Sequence, residues 1–202
     1  MINKDTYKTI EASPEPVLFK DKNSKFFGYA FSVLTQDDVK AHLESLKKKH
    51  HAARHWCYAY QLGTESISFR VNDDGEPSNS AGMPIYGQIQ SFELTNILIV
   101  VVRYFGGVKL GVGGLINAYR TAAQMALESS YIIEKTINVN YLLSFDYQNM
   151  NRVMRVIKEK QLIIINQALE MDCQITISVR KKEAQSIFEI FNSLYKINIK
   201  SI

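Results

Sequence analysis

The first third of the chain alternates between apolar and polar positions at strand spacing. Val17–Lys20 and Lys25–Leu34 read as two strands, separated by the turn sequence DKNS. The spacing then changes to that of a helix: Val39, Leu43 and Leu46 fall on one face of a segment that Asp37 would cap and that runs to about Lys49. Trp56–Gln61 and Ile67–Val71 return to strand spacing and are joined by L-G-T-E. A polar stretch, NDDGEPSNSAGMP, reads as a loop, with Ser78 and Ser80 as candidate caps of a short helix at Ala81–Phe92. Ile97–Val102 is apolar at every position, which predicts a central strand covered on both faces. A glycine-rich segment follows, then a helix over Gly114–Ser129 with Leu115, Ala118, Ala122, Met125 and Ala126 on one face. The opening segment shows no regular period and closes on the turn-like S-P-E-P.

The organisation changes after about Ile132. Val139–Phe145 reads as a strand and Gln148–Lys160 as a helix with Met150, Val153, Met154 and Ile157 inward. Leu162–Leu169 and Asp172–Val179 read as strands, Lys181–Leu194 as a helix, and Lys196–Ile202 as a last strand. That β-α-β-β-α-β order is the ferredoxin-like split βαβ unit. The expectation is an α+β protein of two domains, 1–138 and 139–202.

Composition adds little that is unusual. Hydrophobic residues make up 46% and charged residues 22% of the 202 residues, as in ordinary globular proteins. The net charge of +4 permits an anionic partner without demanding one, and most of it falls in residues 139–202. Cys57 and Cys173 are remote from each other and lie in no C-x-x-C pair, which suggests reduced thiols in a cytoplasmic protein. No signal-like or membrane-length apolar run is expected from the pattern.

Candidate chemistry concentrates in VVRYFGGVKLGVGG, Val101–Gly114. Arg103 closes the buried strand, Gly106 and Gly107 permit unusual backbone angles, and Gly111, Gly113 and Gly114 lead into a helix whose free amides suit a phosphate or carboxylate. Lys109 and Arg120 would add charge, and Tyr104 or Phe105 would stack on a base. The segment matches neither the P-loop nor the dinucleotide fingerprint, so a plain strand-to-helix crossover is the alternative. The acidic loop offers Asp73, Asp74 and Glu76 but lacks calcium-hand spacing. HHAARHWC carries His50, His51, His55 and Cys57, which fall short of a closed zinc site, and no third group orients a cysteine–histidine pair. His51, Arg54 and His55 would instead add positive charge beside the glycine segment. No cofactor and no metal are expected.

Several motifs together resemble the IMPACT family, in its YigZ-like bacterial branch. They are H-x-x-x-H-x-C-x-A-Y at His51–Tyr60, N-D-D-G-E-P-S at Asn72–Ser78 and A-G-x-P at Ala81–Pro84. The resemblance continues through T-N-x-x-x-V-V-V-R-Y-F-G-G-V-K-L-G-x-G-G-L at Thr95–Leu115 and A-Y-R-x-A-A at Ala118–Ala123. One departure is visible: Ser78-Asn79-Ser80-Ala81-Gly82 stands where the family usually reads S-G-T-A-G. The resemblance implies a first domain like the second domain of ribosomal protein S5 and a second like the last domain of elongation factor G. It also implies a role in translation, since eukaryotic IMPACT looks like a regulator that competes for an activator of the amino-acid-starvation kinase. The function expected is a non-catalytic regulator that binds RNA or the ribosome through Arg103, Tyr104, Phe105, Gly106, Gly107, Lys109, Gly113, Gly114 and Arg120. His51, His55, Asp73, Glu76 and Ser78 are possible contributors. A small-molecule enzyme or a nucleotide- or phosphate-binding protein using the same glycine segment, and a protein-binding regulator, are the alternatives.

Overall fold

The computed structural model describes residues 5–11, 15–170 and 172–202. These form two compact units, Tyr7–Lys135 and Thr136–Ile202, the latter gathering Asp5 and Thr6. The turn expected from S-P-E-P includes residues 13 and 14, which lie outside the described residues.

The first unit opens with a strand the sequence pattern does not announce, β1 (Thr6–Ile10). It pairs with Ile132–Thr136 in a separate two-stranded sheet. The main sheet has five strands. β2 (Val17–Asp21) and β3 (Ser24–Ser32) form a hairpin whose turn residues Lys22 and Asn23 take φ of 42° and 63°. Two positive φ values in a two-residue loop match the twist of the flanking strands. β4 (His55–Leu62) and β5 (Ser68–Asn72) follow, and β6 (Ile97–Tyr104) inserts between β3 and β4. The order is β2-β3-β6-β4-β5, with every neighbouring pair antiparallel.

The apolar run in β6 is explained by cover on both faces. Ile97, Ile99 and Val101 face a core shared with α2 (Gly82–Ser91) and α3 (Gly111–Glu128). Leu98, Val100 and Val102 face the other core, with Val39 and Leu46 of α1 (Gln36–Lys49). Arg103 and Tyr104 at its end therefore go to opposite sides. The small residues of α3 let it lie close to the sheet: a Cβ placed on Gly28 of β3 would come within 2.5 Å of the Ala122 carbonyl oxygen.

Local chemistry shifts two helix starts from their expected places. Thr35, not Asp37, caps α1: its side chain accepts from the Asp38 amide, and Asp38 returns a bond to the Thr35 amide. This is a capping box built on an aspartate. α3 begins at Gly111 rather than Gly114, so its first turn is made of the glycine segment itself.

His50 ends α1 and is 8% exposed, with Nε2 at 2.6 Å from the Tyr29 hydroxyl and Nδ1 at 2.9 Å from the Tyr104 hydroxyl. Burial, helped by Lys49, holds its pKa below the ordinary histidine value. The folded state thus disfavours the protonated ring. As pH falls through about 6.5 the unfolded chain takes up a proton that the folded chain resists, so stability falls there. We expect the melting temperature to drop between pH 7.5 and 5.5, and His50→Gln to reduce that slope. An unchanged slope in the variant would remove His50 from the account.

The second unit runs β8 (Asn138–Asp146), α4 (Met150–Glu159), β9 (Ile163–Leu169), β10 (Asp172–Arg180), α5 (Lys181–Asn192) and β11 (Ile197–Ser201). Ile132–Thr136, the strand before it, is β7. The sheet order is β11-β8-β10-β9, antiparallel throughout. Val153, Ile157, Ala184, Ile187 and Phe191 of the two helices pack on Tyr141, Leu143, Phe145, Ile175 and Ile177. A turn of 3₁₀-helix at Tyr147–Asn149 moves the start of α4 to Met150. Its basic residues are exposed, and Arg155 pairs with Glu159 one turn on. Among the described residues no helix is long and apolar enough to cross a membrane.

Candidate anion site at the start of helix α3

The backbone beyond β6 is shaped by glycines with different jobs. Gly106 sits against the β2–β3 turn: a Cβ there would fall 2.1 Å from the Asn23 carbonyl carbon and 2.3 Å from the Ser24 nitrogen. Its amide donates to the Ser24 hydroxyl at 3.2 Å. Gly106 therefore serves packing. Gly107 and Gly111 take φ of 86° and 72°, conformations that favour glycine, and turn the chain into α3. The position before the helix is Leu110, which offers no capping oxygen, so the first amides of this 18-residue helix donate to no capping side chain. The partial positive charge of the helix end is left exposed.

A second wall comes from the loop after β5. Asp73 accepts from the Ala81 amide at 2.9 Å and the Gly82 amide at 2.8 Å with one oxygen, and from the Asn79 amide at 2.9 Å with the other. It thereby caps α2, the task the sequence suggested for Ser78 and Ser80. The Ser80 hydroxyl instead donates to the Pro77 carbonyl, and Ser78 is exposed. Asn79 takes φ of 60°, which explains how asparagine stands where the family pattern has glycine. Asp74 accepts from the Trp56 amide at 2.7 Å. Both aspartates are thus engaged by backbone, and among the described residues no three His, Cys, Asp or Glu side chains converge as a metal-ligating group.

The turn at Asp74 and Gly75 carries Glu76 inward. Its carboxylate is 4% exposed, and Oε1 accepts from Arg103 Nη1 at 2.5 Å and from the Tyr119 hydroxyl at 2.7 Å. His55 donates from Nδ1 to the Asp74 carbonyl at 2.8 Å, which places Nε2 at 3.9 Å from Glu76 Oε1. The Arg103 guanidinium lies between the rings of Phe26 and Phe105, at 5.4 and 5.6 Å from their centroids. Its side chain is 6% exposed and its Nε–H has no hydrogen-bond partner. A buried donor left unmade costs about 1–3 kcal/mol, so this guanidinium carries an unspent bond at the site.

Cys57 shares the β4 face with His55 and is fully buried. Its thiol donates toward the Asp73 carbonyl at 3.0 Å and the Tyr119 hydroxyl at 3.3 Å. Burial first, and then the carboxylates of Glu76, Asp74 and Asp73, push the thiol pKa well up, against the Tyr119 bond that lowers it. Burial thus favours the thiol over the reactive thiolate.

These walls enclose a cavity of about 430 Å³. Arg54, Lys109 and Arg103 supply positive charge; His55 and Glu76 add polar groups. Phe105, Pro77, Leu115 and the Leu110–Val112 segment complete it. The structure thus brings together Arg103, Phe105, Lys109, His55 and Glu76 of the expected residues. It removes Tyr104, whose ring packs on Phe27 across the sheet with its hydroxyl on His50. Because strand neighbours alternate faces, Arg103 and Tyr104 cannot line one site. Asp73, Gly106, Gly107, Gly113, Gly114, Arg120, His51 and Ser78 do not line the cavity. The amides of Gly111 and Val112, and Tyr119 as a partner of Glu76, were not among the expected site residues. Tyr119 follows Leu115 by one helical turn, so the apolar spacing of α3 already carried that signal.

A profile of the Impact N-terminal domain matches residues 22–127, which include every residue of the cavity. An IMPACT family member of Haemophilus influenzae is 33% identical over 177 residues, covering 84% of each chain. The IMPACT family member YvyE of Bacillus subtilis is 30% identical over 189 residues, covering 94% of this chain and 87% of its own. A crystal structure titled as that of a hypothetical protein superimposes with a TM-score of 0.75 at 26% identity, covering 98% of both chains.

Proposed function

The chain belongs to the IMPACT family, and on that premise we propose that it is a translation-associated regulator that binds RNA, free or in the ribosome, through the cavity at the start of α3. We assign the first unit, with its boundary near residue 138, to the fold of the second domain of ribosomal protein S5. We assign the second unit to the ferredoxin-like fold of the last domain of elongation factor G. The β-α-β-β-α-β order and the β11-β8-β10-β9 sheet support the second assignment.

One observation carries the functional reading: Arg103, whose buried Nε–H has no hydrogen-bond partner among the described residues, lines the cavity together with Lys109 and the uncapped start of α3. Helix amides and cations together suit a phosphate. Phe105 is 43% exposed at the same cavity and offers a face for one base, the role the sequence shared between it and Tyr104. Glu76 Oε1 and the Cys57 thiol are held by neighbouring side chains and backbone, which favours binding over catalysis.

The test uses the two exposed cations, because Arg103 is part of the core. In Arg54→Ala/Lys109→Ala we expect weaker binding to single-stranded RNA and a salt dependence flattened by roughly 0.7 log units per lost phosphate contact. Unchanged affinity and slope in a folded double variant would remove the cavity from the binding surface. The volume of about 430 Å³ favours a second reading, a free small phosphorylated ligand. Thermal stabilisation by mononucleotides with no saturable RNA binding would select it.

A further inference from the structure

We propose that the cavity also reads the ribose 2′-hydroxyl, so that the site prefers RNA over DNA. The inference rests on the RNA reading above and adds a chemical selectivity to it. It starts from the carboxylate in the cavity wall. Glu76 Oε1 holds Arg103 and Tyr119, but a free carboxylate oxygen in the lining would repel a phosphate. Neither bond uses Oε2. His55 has its Nδ1–H fixed on the Asp74 carbonyl, so in the neutral ring Nε2 is an acceptor. Two acceptors therefore stand among the cations and helix amides, and they call for a donor on the ligand.

The charge balance selects the kind of ligand. Arg54, Lys109 and Arg103 outnumber Glu76, so a net anion fits better than a zwitterion such as an amino acid. A ribonucleotide combines a phosphate with a nearby hydroxyl donor on one sugar, and DNA lacks that hydroxyl. The α3 amides, Phe105, Glu76 and His55 line one cavity, so a nucleotide with its phosphate at the amides and its base on Phe105 would present its sugar to the two acceptors.

The experiment measures fluorescence anisotropy of the full chain with three single strands of one sequence: RNA, 2′-fluoro and 2′-deoxy. The 2′-fluoro strand keeps a ribose-like pucker but donates no hydrogen bond. A hydrogen bond to a charged group corresponds to about tenfold in affinity or more, so both substituted strands should bind about tenfold more weakly than RNA. Glu76→Gln should narrow the ratio of RNA to deoxy-strand affinity, the readout that a general loss of binding does not move. Equal affinity for all three strands, with binding still weakened by Arg54→Ala/Lys109→Ala, would overturn the 2′-hydroxyl inference and leave the phosphate reading standing. No saturable binding of any strand would overturn both. If Glu76→Gln fails to fold, the comparison of RNA with the 2′-fluoro strand on the unaltered protein decides the matter.

Discussion

Replacing Glu76 by alanine should lower the stability of the first unit by about 3–5 kcal/mol, the range for breaking a buried ion pair from one side. The buried figure applies because both side chains are nearly inaccessible, Glu76 at 4% and Arg103 at 6%. Exposed pairs such as Lys40–Asp37 contribute little, because water screens both charges. Removing Glu76 leaves the Arg103 charge between two aromatic rings with no counter-ion, and it takes the acceptor from Tyr119. Arg103→Met should cost a similar amount by stranding the carboxylate. The double variant Glu76→Leu/Arg103→Met should lose less than the sum, because it strands neither charge. Urea unfolding of the single and double variants measures this. Strict additivity would show that the two side chains do not depend on each other.

The second large effect is expected at Gly106. An alanine there would place Cβ within 2.4 Å of three backbone atoms, the Asn23 carbonyl carbon and oxygen and the Ser24 nitrogen. Backbone atoms in a tight turn cannot rotate aside as a side chain can. The cost should reach about 3 kcal/mol, at the upper end of ordinary overpacking. For a chain of this size that corresponds to roughly 6–12 °C in melting temperature. Gly87 in α2 provides the control: a Cβ there meets nothing within 4 Å. Gly87→Ala should be neutral or stabilise by up to about 1 kcal/mol, the helix propensity difference. Equal melting temperatures for the Gly106→Ala protein and its parent would mean that the turn and the glycine segment do not pack as described.

The contrast between those glycines shows what the sequence could reveal. The glycine count flagged the segment, but only the packing separates Gly106, which meets the Asn23 backbone, from Gly107 and Gly111, which meet nothing and carry positive φ. Periodicity was informative wherever burial is one-sided or complete. The all-apolar β6 sits at the centre of its sheet, and the spacing of α4 and α5 places the residues that cover β8 and β10. It was silent for β1 and β7, short strands with mixed exposure that pair with each other rather than with a large sheet. The cavity was legible in part. Arg103, Lys109 and Phe105 come from one contiguous segment, and strand alternation alone could have separated Tyr104 from them. The positions of Glu76 and His55 depend on Asp73 and Asp74 holding the loop, a set of side-chain-to-backbone bonds that residue types do not specify.

The helix start matters most for function. With α3 beginning at Gly111, the free amides belong to residues that line the cavity, beside Arg103 and Lys109. A start at Gly114 would have placed them in a different turn. The buried ion pair and the Gly106 turn then act as a scaffold: they hold Phe105 and the start of α3 at fixed places, the preorganisation that the proposed phosphate contact requires.

The most direct measurement of the central claim is a titration of isotope-labelled protein with a short single-stranded RNA, followed by backbone amide NMR. The account predicts saturable shifts of the Gly111 and Val112 amides together with the Arg103 side-chain Nε–H, and their loss in Arg54→Ala/Lys109→Ala. RNA binding that leaves those amides unmoved while shifting residues elsewhere would contradict it.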